Sequence, residues 1–173
     1  YLYLLTLRLW LQKFRANAFN PISRAVIQLS NPVVKPIRYV IPGFKGFDGA
    51  IVFLMLLIQW LLFCVLFWAM AGVFPPMLAS MLVALFKVVL LNINLFMLVI
   101  VVGAIFSWFP QLLRSPVASI IHCLSSPILL IARRWVPLVG GLDFSPVVVL
   151  VVFHLIKMVV LFPVTGALIG AVR

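Results

Sequence analysis

The chain has 173 residues, 66% of them hydrophobic and 9% charged, whereas a soluble domain runs about 45–50% apolar and about 25% charged. A soluble fold of this length cannot bury so much apolar surface, so lipid is the expected solvent and one compact domain the expected size. Thirteen Lys and Arg stand against two Asp, a net charge of +11, and the basic residues cluster beside long apolar stretches, which points to anionic headgroups rather than to a specific nucleic acid.

The first apolar stretch, Tyr1 to about Phe14, predicts a helix that begins upstream of Tyr1. It has neither the basic leader nor the small-residue cleavage site of a signal peptide. A basic, proline-rich segment follows, Asn20 to Phe47. In it Asn20-Pro21 and Asn31-Pro32 each read as an N-cap followed by proline in the first turn. The segment therefore predicts a hairpin of two short helices, each about 15 Å long and too short to cross a bilayer. The hairpin is expected at the interface or re-entrant. Ile22, Ala25, Val26 and Leu29 give its first helix an apolar stripe, and Pro42 ends its second.

Gly49 to Gly72 predicts a membrane span, longer than the roughly 20 residues that hydrocarbon requires. Residues 73–93 read as a connector on the far side, with Lys87, Asn92 and Asn94 marking that interface or a helix start. Met77 to Phe109 fits either one long bent helix or a short interfacial helix followed by a span. A span over about Asn94 to Phe109 leads into a second basic segment, Ser115 to Leu142, which carries Ser115-Pro116, Ser126-Pro127 and Pro137. A last span follows, about Phe144 to Gly170.

Two of these stretches align without a gap. Asn20, Pro21, Asn31, Pro32, Arg38, Pro42, Gly46 and Asp48 correspond, each at an offset of 95 residues, to Ser115, Pro116, Ser126, Pro127, Arg133, Pro137, Gly141 and Asp143. Both aspartates of the chain fall in one register. Such repeats mark how many membrane proteins are assembled. The expected organisation is a first repeat over 1–72, a connector over 73–93 and a second repeat over 94–173. Each repeat has two transmembrane helices flanking a proline-broken helical hairpin, in an all-α membrane protein. The positive-inside rule places both hairpins on the cytoplasmic side, with four spans and both chain ends outside.

Asp48 and Asp143 each precede a membrane helix, where a carboxylate caps the first turn and pairs with Arg38 or Arg133 of its own segment. The functional alternative is proton or ion handling. Lys157 stands near the middle of the last span, one turn from His154, which the 95-residue offset matches to Gln59. Hydrogen bonding between the two repeats is one reading of these three residues, and a polar pathway is the other. No carboxylate pair, Ser-His-Asp set, phosphate loop or HExxH run appears, so an enzyme is not expected. Cys64, Cys123, His122 and His154 form no ligand motif, so no metal or cofactor is expected.

The run Asn20-Pro-Ile-Ser through Ser30-Asn31-Pro32, Pro36-Ile-Arg38, Ile41-Pro42 and Gly46-Phe-Asp48 resembles the signature of the YggT (YlmG) family, and the duplication resembles its two-repeat proteobacterial form. The second copy departs from it, with Ser at both Asn positions and Ile131 in place of Pro36. The resemblance implies a multi-pass protein of the bacterial inner membrane, linked in the family to osmotic stress, cell division and membrane-complex assembly. It brings no agreed molecular activity. The expected function is a non-enzymatic scaffold or assembly factor that binds anionic lipid and other membrane proteins, with an oligomer left open. The alternative is an ion or small-solute pathway between the repeats.

Overall fold

The computed structural model describes residues 1–43, 48–136 and 143–172. Six α-helices follow in order: α1 (Leu2–Lys13), α2 (Pro21–Arg38), α3 (Gly49–Ala71), α4 (Met77–Trp108), α5 (Pro116–Arg133) and α6 (Ser145–Val172), with a single 3₁₀ turn at Pro110–Arg114. Among the described residues there is no strand. The protein is an all-helical membrane protein: α3, α4 and α5 are each long and apolar enough to cross a bilayer, and α6 is apolar over Ser145–Leu161. Large apolar side chains such as Leu66, Leu85 and Val151 face outward, a surface that lipid covers.

α4 organises the packing, because α1, α3, α5 and α6 all lean on it. Toward its middle, Val88 and Leu91 join Leu5 and Leu9 of α1, Val34 of α2 and Ala50, Ile51, Leu54 and Met55 of α3 in one core cluster. One turn further on, Leu95 and Val99 join Leu11, Val26, Ile120 and Leu124, so that α1, α2 and α5 meet on the same helix. Two glycines shape the ends of α3. Gly72 closes it in the left-handed region at φ 70, as a C-terminal glycine does. At the other end Gly49 faces the Pro42 carbonyl so closely that an added Cβ would lie 2.9 Å from its oxygen.

The proline-rich segments differ from the sequence expectation. Instead of a hairpin of two short helices, each is one helix of 18 residues, about 27 Å long. Asn20 caps α2, its Oδ1 accepting the Ile22 N–H at 2.9 Å, but Asn31 lies inside the helix and starts nothing. The chain tolerates Pro32 and Pro36 because they stand one turn apart on an exposed face. The carbonyl that Pro32 frees, that of Gln28, also lies on that face, where solvent can satisfy it. Ser115 caps α5, accepting the Ala118 N–H at 3.2 Å, and Pro127 is internal there. The apolar stripe is also rotated: α2 buries Ser23, Val26, Ser30 and Val34, while Ala25 and Leu29 face outward, Leu29 at 63% exposure.

From Met77 onward, the stretch read as a connector is the first half of α4. The 32 residues of Met77–Trp108 form a single helix, about 48 Å long, with no proline and only Gly103 to interrupt it. Asn92 and Asn94 start no helix. Asn92 returns its Nδ2 to the Val88 carbonyl at 2.8 Å, and Lys87 sits in mid-helix with its ammonium 5.2 Å from the centre of the Phe63 ring, a cation–π contact.

Candidate functional site: two arginine–aspartate pairs

Each basic helix ends on an arginine that reaches ten residues ahead to an aspartate. Arg38, the last residue of α2, donates through Nη2 to Asp48 Oδ2. Arg133, the last residue of α5, reaches Asp143 Oδ2 through Nε at 2.8 Å and Nη2 at 2.7 Å. The two settings differ. Asp48 is 1% exposed, and its Oδ1 has no hydrogen-bond partner among the described residues. Asp143 is 26% exposed, and its Oδ1 accepts the Ser145 N–H at 2.9 Å at the start of α6. Burial pushes the Asp143 carboxyl up, but hydrogen bonds from Ser145 and Arg133 and the Arg133 charge outweigh it, so the group titrates below its ordinary value.

The residue that caps α2 also ties the two basic helices together. Asn20 Nδ2 donates to the Pro116 carbonyl at 2.8 Å, so α5 starts beside the start of α2. Pro21 and Pro116 occupy the first helical positions, and Pro42 lies against the start of α3. Ser126 and Pro127 are internal to α5. Gly46, Pro137 and Gly141 lie outside the described residues.

Sequence reasoning missed Arg8. It sits in α1 at 5% exposure and donates Nη1 to Ser30 Oγ at 2.6 Å and to the Ile27 carbonyl at 3.5 Å. Ser30 in turn donates to the Val26 carbonyl. A lone charge inside an apolar helix was the available signal, and it counted only toward the net positive charge. Trp10 was missed too: its Nε1 donates to Asn92 Oδ1 at 2.6 Å and fastens α1 to α4.

Gln59, His154 and Lys157 are not brought together. Gln59 is on α3, and the other two are on α6. Both helices pack on α4, and His154 faces outward. Among the described residues no hydrogen bond joins the three. No cluster of His, Cys or carboxylates that could hold a metal occurs among the described residues, and Cys64 and Cys123 are free thiols.

Helices packed around a shared central one, with an arginine-held carboxylate before each of α3 and α6, define a multi-helix integral membrane protein. The chain belongs to the CCB3/YggT family, whose profile matches residues 1–70 and 75–164. It is similar to the uncharacterized YggT protein of Escherichia coli K12, at 32% identity over 91% of this chain and 81% of that one. It is also similar to an uncharacterized protein of Pseudomonas aeruginosa, at 32% identity over 93% of this chain and 82% of the relative. A Haemophilus influenzae protein is 34% identical over 84% and 77%, respectively. No solved structure matches the chain.

Proposed function

We propose that the chain is a non-enzymatic scaffold or assembly factor of the bacterial inner membrane. It is built from two tandem units and presents α2 and α5 to anionic lipid and partner membrane proteins on the cytoplasmic face. One observation carries this reading: both carboxylates are already engaged by arginines. What α2 offers outward is therefore cationic and apolar together, through Arg24, Lys35 and Leu29, and α5 continues it with Leu130, Ile131 and the following Arg134. Such a face suits headgroups and lipid-embedded partners. The tandem reading is supported by two helices of 18 residues starting 95 residues apart, by the matching ion pairs, and by the two separate stretches that the family profile matches. Osmotic stress tolerance and cell division are processes in which such an assembly role would be felt.

The transport alternative draws less from the geometry. A pathway lined jointly by Gln59, His154 and Lys157 needs three side chains that the fold leaves on two different helices of α4's surround. The test is co-purification from native membranes in mild detergent, with Arg24→Gln plus Lys35→Gln as the comparison. Under the scaffold reading, proteins retained at fixed stoichiometry by the wild type are lost in the variant. An unchanged set of partners counts against it. Flux in proteoliposomes that disappears in Lys157→Leu would replace it with the transport reading.

A further inference from the structure

A cavity of about 300 Å³ lies between α1, α2 and the turn that joins them. Its polar lining is Arg8 and Gln12 from α1, with Ser23, Asn31 and Arg38 from α2. We propose that it is a binding site for a phosphate group, and that Arg8 and Ser23 are its principal ligands.

Three observations converge on an anion. Arg8 is almost fully buried and forms no ion pair among the described residues, whereas Arg38 is matched by Asp48. The lining thus carries one uncompensated positive charge, a costly arrangement that a bound anion relieves. Among the described residues the two bonds that Arg8 makes both leave from Nη1, which leaves the donors on Nε and Nη2 for the forked recognition that guanidinium gives phosphate. Ser23 lines the same cavity at 2% exposure, and its hydroxyl has no hydrogen-bond partner among the described residues. A buried hydroxyl without a partner is unfavourable and becomes favourable when it donates to an oxyanion. The amides of Gln12 and Asn31 add two more donors.

The place 95 residues further on has no such cavity chemistry. Gly103 stands where the offset puts Arg8, and Ala118 where it puts Ser23. A Cβ on Gly103 would meet Ile121 Cγ2 at 3.2 Å, so α4 and α5 close on each other there. The volume is small for an organic substrate and suits a headgroup. The turn at its mouth carries Lys13 and Arg15, as expected of a site at headgroup level. The phosphate has two candidate sources, the phosphodiester of an anionic phospholipid and soluble phosphate.

Calorimetric titration of the full chain in non-ionic detergent separates the sources, with dihexanoyl phosphatidylglycerol in one arm and inorganic phosphate in the other. Saturable lipid binding that millimolar phosphate does not displace identifies a headgroup. Phosphate binding that competes with the lipid identifies the soluble ion. In either case Arg8→Gln and Ser23→Leu should each weaken binding about tenfold or more, while Gln28→Ala, on the outer face of α2, should stay within about twofold. Ser23→Leu fills the cavity and leaves Arg8 in place, so it decides the matter if Arg8→Gln does not fold. Absence of saturable binding by both probes, or wild-type affinity in Ser23→Leu, overturns the proposal.

Discussion

Asp48 and Asp143 make the same bond in different surroundings, and the difference sets what each arginine is worth. Arg38→Gln leaves Asp48 buried without its counter-charge, so it should cost about 3 kcal/mol. Arg133→Gln leaves a carboxylate that water reaches and that Ser145 still holds, so it should cost about 1 kcal/mol or less. Equilibrium unfolding in mixed micelles should rank the two in that order, and equal losses would refute the argument from burial. Because the folded Asp143 titrates below its ordinary value, its contribution is complete above the unfolded value of about 4 and is lost as pH falls through the lower folded value. The wild type should therefore lose stability below about pH 4, and Asp143→Asn should flatten that part of the profile. This pairing was legible in the sequence, since the only two acids follow an arginine at the same spacing. The burial of Arg8 was not, because it depends on Ser30 of α2 folding back beside α1.

At the scale of the element, α2 shows why proline position alone misled. Asn-Pro fits a helix start and an exposed helix interior equally well, and only the neighbours decide. Pro32 lies on the outer face, so the helix runs through it. Replacing it with Ala restores an N–H donor to the Gln28 carbonyl and removes the ring clash, so Pro32→Ala should raise stability by about 1 kcal/mol or more. A lowered melting temperature would show that the proline is needed for the path of the helix. The bond from Trp10 to Asn92 is a second element-level device, joining α1 to α4 away from water. Asn92→Leu should cost about 1 kcal/mol, read by the same unfolding titration, and Trp10→Phe should match it without adding to it. Nothing in the sequence announced this pair, because its members are 82 residues apart.

For the whole molecule, composition alone pointed to a helical membrane protein, and the residues matched at an offset of 95 marked the two basic segments. The single α4 was not readable: a continuous apolar run gives no periodic cue that distinguishes one helix from two. Its continuity bears on topology. In the proposed arrangement the helix from Met77 to Trp108 crosses once and returns the chain to the side where α2 lies, and α5, although apolar enough to span, stays on that side, so both basic helices share a face. Single cysteines at Lys35 and Arg134, in a background with Cys64 and Cys123 replaced by Ser, should therefore react with an impermeant reagent from the same side of sealed vesicles. Labelling from opposite sides would overturn the proposed arrangement.

The central placement of α4 also has a consequence for biogenesis. Synthesis proceeds from the N-terminus, so α1, α2 and α3 emerge before the helix that supplies Val88, Leu91 and Asn92 to their packing. Until α4 is inserted, α3 lacks its main docking surface, and Arg8 is held only by its neighbours in α2. A nascent chain halted near Gly72 should be an unusually good substrate for membrane proteases and insertion chaperones, and one released after Trp108 should resist them.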